Sequence, residues 1–290
     1  MPSLQDIKRK IGSVKNTQKI TKAMKMVAAA KFKRAQTRIL EARPYAQKMA
    51  DVLGRLSGGV NPDLHPLLKR PESRRLELIV VTADRGLCGG FNANILRRSQ
   101  EFIRQQKKAG MEVGLSLIGR KARDYFNRRN VVPREAWTQI FGKLEYSTAA
   151  GIGQNLVTEF LKGELGGIYL LYNEFHSVMQ QTPSVVKLLP VEPPADTGGG
   201  GSGGNYLYEP DESEVLAHLL PKYVEVQVFR ALMESAAGEL GARMTAMDSA
   251  SRNAGELIDK LTLVYNKSRQ AQITKELMDI VGGAEAMRAG

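Results

Sequence analysis

The strongest constraint on this chain lies in its first forty-odd residues, where apolar side chains recur every three or four positions. Stepping from Leu4 picks out Ile7, Ile11, Val14, Gln18, Thr21, Lys25, Ala28, Phe32, Ala35, Ile39 and Ala42, most of them apolar. A mean period of about 3.5 is that of a coiled-coil seam, not of a helix lying on a globular core. No Gly or Pro interrupts residues 13–43. Pro44 predicts a kink, and Gly58-Gly59 predicts the end of the helix.

The far end of the chain repeats the pattern. Its seam reads Val215, Leu219, Lys222, Val226, Phe229, Met233, Ala236 and Leu240, then Met244, Met247, Ser251, Ala254, Ile258, Leu261, Tyr265 and Ser268. The four-residue step after Leu240 is a stutter, which shifts the supercoil locally without breaking it. Pro221 predicts a kink or a helix start. A helix from Pro221 to Gly282 would run on the order of 90 Å at 1.5 Å per residue, too long for a compact domain of this size. The two helices are therefore expected to pair and to project from whatever lies between them.

Between them, strand and helix patterns alternate. Residues 76–82 (LELIVVT) form the continuous apolar run of a strand buried on both faces. Helical patterns follow at about 93–108, 121–129 and 148–161, with strands at 111–118, 131–140, 167–172 and 178–190. That order predicts a small, mostly parallel α/β sheet. Residues 193–204 (PPADTGGGGSGG) read as a flexible linker. The expected organisation is an N-terminal shaft helix over 1–60, an α/β domain over 61–205 with its glycine-rich linker at 193–205, and a C-terminal shaft helix over 206–290.

Charge sharpens the picture. The chain holds 42 Lys and Arg against 30 Asp and Glu, a net charge of +12. Thirteen of those cations fall in residues 1–50, opposed only by Asp6 and Glu41, whereas residues 211–290 are slightly acidic. A helix so charged repels itself unless something negative lies alongside, so an acidic partner is expected. A nucleic acid is one such partner, and a basic coiled coil superficially resembles a basic-zipper layout. Here, however, the cations share the seam's own stretch instead of preceding it.

Catalytic and cofactor patterns fail one by one. The loop Asp84-Arg85-Gly86-Leu87-Cys88-Gly89-Gly90 leaves the first strand where a dinucleotide fold would hold a pyrophosphate, but its glycines are spaced G-x-x-G-G. Gly114 and Gly119 imitate a P-loop, yet Arg120 and Lys121 stand where Lys and Ser or Thr are required. Gly200-Gly201-Ser202-Gly203-Gly204 satisfies G-x-S-x-G only as low-complexity sequence. A single cysteine, Cys88, rules out an internal disulfide and fits a buried turn residue better than a reactive thiol. His65, His176 and His218 stand far apart, no apolar run reaches the ~20 residues of a membrane span, and the first ten residues lack a secretory pattern. The expectation is a soluble, intracellular protein without cofactor, metal or catalytic centre.

Three segments carry a resemblance. Asn16-Thr17-Gln18-Lys19-Ile20-Thr21-Lys22-Ala23-Met24-Lys25-Met26-Val27-Ala28-Ala29 resembles the N-terminal signature of the gamma subunits of F-type ATP synthases. The loop from Asp84 to Gly90 resembles that family's central loop. Leu263-Val264-Tyr265-Asn266-Lys267-Ser268-Arg269-Gln270-Ala271, with Ile273-Thr274-Lys275-Glu276-Leu277, is similar to its C-terminal signature.

The resemblance implies a central-stalk rotor subunit that couples proton flow through the membrane ring to conformational change at catalytic nucleotide sites it does not itself contain. Its fold would be an antiparallel coiled-coil shaft with a degenerate Rossmann-like foot. The implied partners are the alpha and beta subunits of the hexamer, the epsilon subunit and the c-subunit ring. Membrane association would come only through the complex, at the cytoplasmic face of a bacterial inner membrane. Lys8, Arg9, Lys22, Met24 and Lys25 would meet acidic lever segments of beta, and Arg269, Gln270, Thr274 and Glu276 its catch loops. Ile273, Leu277, Ile280 and Val281 would form an apolar bearing at the tip. With one cysteine, the chain lacks the redox-switch insertion of chloroplast members. Pro221 and the glycine-rich linker depart from the helix and shorter loop expected there.

Overall fold

A computed structural model describes residues 3–57, 65–69, 71–192 and 212–288. The elements run α1 (Leu4–Ser57), β1 (Arg75–Val81), α2 (Phe91–Lys108), β2 (Glu112–Ile118), α3 (Arg120–Asn127), β3 (Glu135–Trp137), α4 (Tyr146–Leu161), β4 (Gly167–Phe175), β5 (Gln181–Leu189) and α5 (Glu212–Arg288). The expected linker and both expected domain boundaries lie outside the described residues.

Both long helices form, and α1 ends just before Gly58. All twelve seam positions of α1 are buried or half-buried, and between Leu4 and Ala42 only Met24 and Ala29 join them off the seam. Pro44 stands inside α1 and does not end it. Pro221 does not start a helix, which removes one of the two outcomes expected for it. α5 begins nine residues earlier, at Glu212, and runs through the proline. A missing N–H and a displaced carbonyl are tolerated where neighbouring elements hold the helix in place. Leu216, Leu220 and Val224 around Pro221 are essentially fully buried.

Contacts divide the chain into two units, Ala29–Arg243 and the combination of Met1–Ala28 with Met244–Gly290. In the smaller unit the two helices run antiparallel. Gln18 reaches the Ser251 carbonyl at 3.3 Å, whereas Lys25, further along α1, meets Asp248, further back along α5.

The larger unit is built on one five-stranded sheet of order β3-β2-β1-β4-β5. β1 pairs in parallel with β2 and β4, β2 with β3, and β5 closes the edge antiparallel to β4. β3 is three residues long, where a strand over 131–140 was expected. Pro133, two residues before β3, cannot donate to a ladder, which helps explain the short edge. α2 and α3 cover one face through Ile95, Phe102, Ala122 and Phe126, packed on Leu78, Val80 and Leu117. The other face, around Ile79, Val81 and Leu170, is covered by α4, by the end of α1 at Met49 and Leu53, and by α5 at Leu220, Val224 and Leu232. Here α5 is buried well beyond its seam, since it packs on the sheet and on α1 at once.

Candidate subunit-contact surfaces

The basic residues of α1 fall into two kinds. Lys8, Arg9 and Lys22 are exposed. Lys25, a seam residue, is half-buried and places its Nζ 2.5 Å from Asp248 Oδ1. That hydrogen bond lowers the Asp248 pKa. Arg252 lies 3.4 Å from the carboxylate's other oxygen. Lys25 is thus a strut within the shaft before it can be a contact for anything else. Met24 is half-buried beside it. Lys19, Lys22 and Lys25 line a cleft of about 350 Å³ with Gln18, Asp248 and Ser251, which gathers positive charge into one concave strip.

The end of α5 is the opposite case. Every residue from 269 to 284 is exposed, including Arg269, Gln270, Thr274 and Glu276. Gln272 donates to Glu276 at 3.0 Å, one turn along the helix. Ile273, Leu277, Ile280 and Val281 are 48–69% exposed, and Met278 is 68% exposed. The four side chains form a stripe left uncovered by the described residues, and Met278 widens it. Leu263 and Val264 add exposed apolar surface further back.

The glycine loop is structural. Asp84 accepts the main-chain N–H groups of Arg120 and Gln139, each at 3.0 Å, so its carboxylate ties the start of α3 to the loop after β3. Asn92 accepts the Ala83 N–H and donates to the Cys88 sulfur. Cys88 is buried, which pushes its pKa up and keeps it a thiol. Gly119 has φ of 95°, and a Cβ there would fall 2.0 Å from the Thr82 carbonyl oxygen. Close approach of β1 and β2, not phosphate binding, demands that glycine. Among the described residues no cluster of three metal-capable side chains occurs, and no helix is long and apolar enough to cross a membrane.

The seam gave no hint of the buried acids on α5. Glu225 and Glu234 are each 4% exposed. Glu225 accepts from Tyr146 at 2.6 Å, Lys222 at 3.0 Å and Gln154 at 3.1 Å. Burial pushes its pKa up, but these donors outweigh burial and hold it below the usual range. Glu234 accepts from Arg230 at 2.9 Å and from the Phe175 N–H at 3.3 Å. Further along, Glu239 pairs with Arg243, which also donates to the Gly86 carbonyl. Burial raises the Glu239 pKa against the lowering effect of Arg243. A glutamate on a helix reads as surface in sequence, and only the packing of α5 on two partners reveals otherwise.

A family profile described as ATP synthase matches residues 3–287. The ATP synthase gamma chain of Anaeromyxobacter sp. (strain Fw109-5) is 50% identical over 99% of this chain and 100% of its own length. That of Geobacter sp. (strain M21) is also 50% identical over 99% of this chain and its full length. The chain belongs to the ATP synthase gamma-chain family. Among solved structures, a central-stalk chain of Tetrahymena thermophila mitochondrial ATP synthase is 26% identical with a TM-score of 0.60, covering 80% of this chain and 99% of that one. A chain of Euglena gracilis mitochondrial ATP synthase shares the fold, with a TM-score of 0.71 at 20% identity over 99% of this chain and 95% of that one. Membership accounts for two long helices and a central sheet, and nothing here favours the nucleic-acid alternative. Like its gamma-chain relatives, the protein is a central-stalk rotor subunit.

Proposed function

We propose that this gamma chain is a non-catalytic rotor shaft, acting between the alpha and beta subunits of the hexamer, the epsilon subunit and the c-subunit ring. It sits peripherally at the cytoplasmic face of a bacterial membrane and is held there through the complex. An asymmetric rod turning inside a three-fold sleeve meets each beta subunit with a different face. Each nucleotide site is thereby biased toward a different conformation, which is differential binding energy delivered through a rigid body.

The observation that carries this reading is the uninterrupted exposure of residues 269–284 with Ile273, Leu277, Ile280 and Val281 among them. A stripe of that kind calls for an apolar wall from other chains, and the four residues act as a bearing inside one. Arg269, Gln270, Thr274 and Glu276 engage catch loops of beta. Lys8, Arg9 and Lys22 face acidic levers, with Met24 and the Lys25–Asp248 pair stiffening the shaft behind them.

The test is complementation. Membranes from a host lacking its own gamma chain should regain ATP-driven proton pumping when this chain is supplied, and the native complex should weigh as one copy per alpha/beta hexamer. An assembled complex that hydrolyses ATP without pumping would refute the rotor role.

A further inference from the structure

A shaft transmits torque only if it cannot turn inside its own foot, and the apolar packing of α5 supplies part of that resistance. Close-packed side chains resist rolling by interdigitation, but apolar attraction is non-directional and can re-form in a shifted register. The buried carboxylates act differently. Glu225 is held from α4 by Tyr146 and Gln154, and α4 comes so close that a Cβ on Gly153 would lie 3.0 Å from the Glu225 Cα. Glu234 is held from the end of β4 by the Phe175 N–H and is fixed on its own helix by Arg230. At 3.6 residues per turn, the nine-residue separation sets the two carboxylates roughly half a turn apart around α5 and about 13 Å apart along it.

That arrangement has a mechanical meaning. A single anchor would let the helix roll about it, whereas two anchors on opposite faces oppose rotation as a couple. Buried ion pairs seldom out-stabilise well-packed apolar residues of similar volume, so net stability is a weak reason for two of them. Directionality is what they add, because each hydrogen bond weakens steeply once its angle is lost.

We propose that Glu225 and Glu234 are torque fasteners, positioning residues that lock α5 to the α/β domain against rotation about the helix axis. The proposal rests on the rotor reading above. Both carboxylates are buried within this chain, so their loss should act on coupling and not on chemistry.

The experiment uses the whole complex in membranes carrying wild-type chain, Glu225→Gln, Glu234→Gln, the double variant or Tyr146→Phe. Assembly, ATP hydrolysis with the proton gradient collapsed, and protons pumped per ATP are read together. Hydrolysis without a gradient should stay near wild type, while pumping per ATP falls about threefold in the double variant and less in each single one. Tyr146→Phe removes one donor hydroxyl and little else, so it should assemble and lower the pumping ratio slightly. An unchanged ratio in the double variant, or hydrolysis falling in step with pumping, would overturn the fasteners. Should the glutamine variants fail to assemble, an unchanged ratio in Tyr146→Phe would overturn them alone. Failure of the wild-type chain itself to support pumping would instead bring down the rotor reading, and the fasteners with it.

Discussion

Two stretches of α5 of similar apolar character have opposite relations to water. From 219 to 243 a single residue, Arg230, is exposed; from 269 to 284 all of them are. Leu232 and Val228 in the first stretch are at most 1% exposed, whereas Leu277 and Ile280 in the second are 57% and 69% exposed. Hydrophobicity alone does not distinguish the two. The first stretch has found its walls in the α/β domain and α1; the second has none among the described residues. Burial by one's own chain marks where a helix is built in, and uncovered aliphatic residues leave a surface that other chains can complete.

The largest effect should separate the two directly. Leu232→Ala opens a cavity in the main core and should cost about 2–5 kcal/mol in urea unfolding of the isolated chain. Leu277→Ala should cost less than about 0.5 kcal/mol in the same measurement, since an exposed side chain loses little on truncation. Equal losses would mean that the tip is already covered, and the contrast would collapse.

Removing the tip sharpens the comparison. Truncation after Gln272 should leave the unfolding midpoint of the isolated chain unchanged. The assembled complex should be weakened, because burying four aliphatic side chains is worth several kcal/mol. Rotation should survive. A truncated chain that assembles normally yet no longer couples would make the tip a drive element and not a bearing.

The sequence disclosed these two stretches unequally. The seam of α1 was readable to the residue, because a helix with one buried face prints its period directly. The Ile273–Leu277–Ile280 stripe has the same helical spacing, although every residue from 269 to 284 is exposed. The stretch around Glu225 and Glu234 was not so readable, because a helix buried on several sides loses its period, and Leu216, Val224 and Leu232 fall off the seam. At Pro221 local propensity leaves a kink and a helix start both open, and only the packing of neighbouring elements shows that the helix runs through it. The clamp on Glu225 needed α4, more than seventy residues away in sequence, to bring Tyr146 to its carboxylate.

Within the buried stretch, Glu225 should make stability pH-dependent. Its folded pKa lies below the unfolded value, so its contribution is present above roughly pH 4.3 and is lost as the pH falls through the folded pKa. Glu225→Gln should remove part of that acid-limb slope and cost about 1–3 kcal/mol near neutrality. Glu239 runs the other way. Its raised pKa favours the protonated form, so its contribution is full below the unfolded value and fades as the pH rises through the folded one. An acid limb identical in wild type and Glu225→Gln would show that its donors do not hold the charged form.

The smallest effect concerns the basic strip of α1, where the same contrast recurs over a single turn. Lys22 is exposed and has no ion-pair partner among the described residues, whereas Lys25 spends its charge on Asp248. Lys22→Glu should leave the isolated chain as stable as before, and in the complex should lower protons pumped per ATP by turning attraction toward an acidic lever into repulsion. An exposed pair of this kind is worth up to about 1 kcal/mol, so the loss should be partial and should shrink as salt is added. Lys25→Glu would set a carboxylate against Asp248 and should weaken the isolated shaft before any partner is present. Asp248→Lys in that background should restore the shaft by reversing the pair, without restoring positive charge at position 25. If the reversed pair also restores pumping, Lys25 serves as a strut alone; if pumping stays low, Lys25 meets the lever as well. Lys22→Glu with unchanged pumping at low salt would remove the strip from the contact surface altogether.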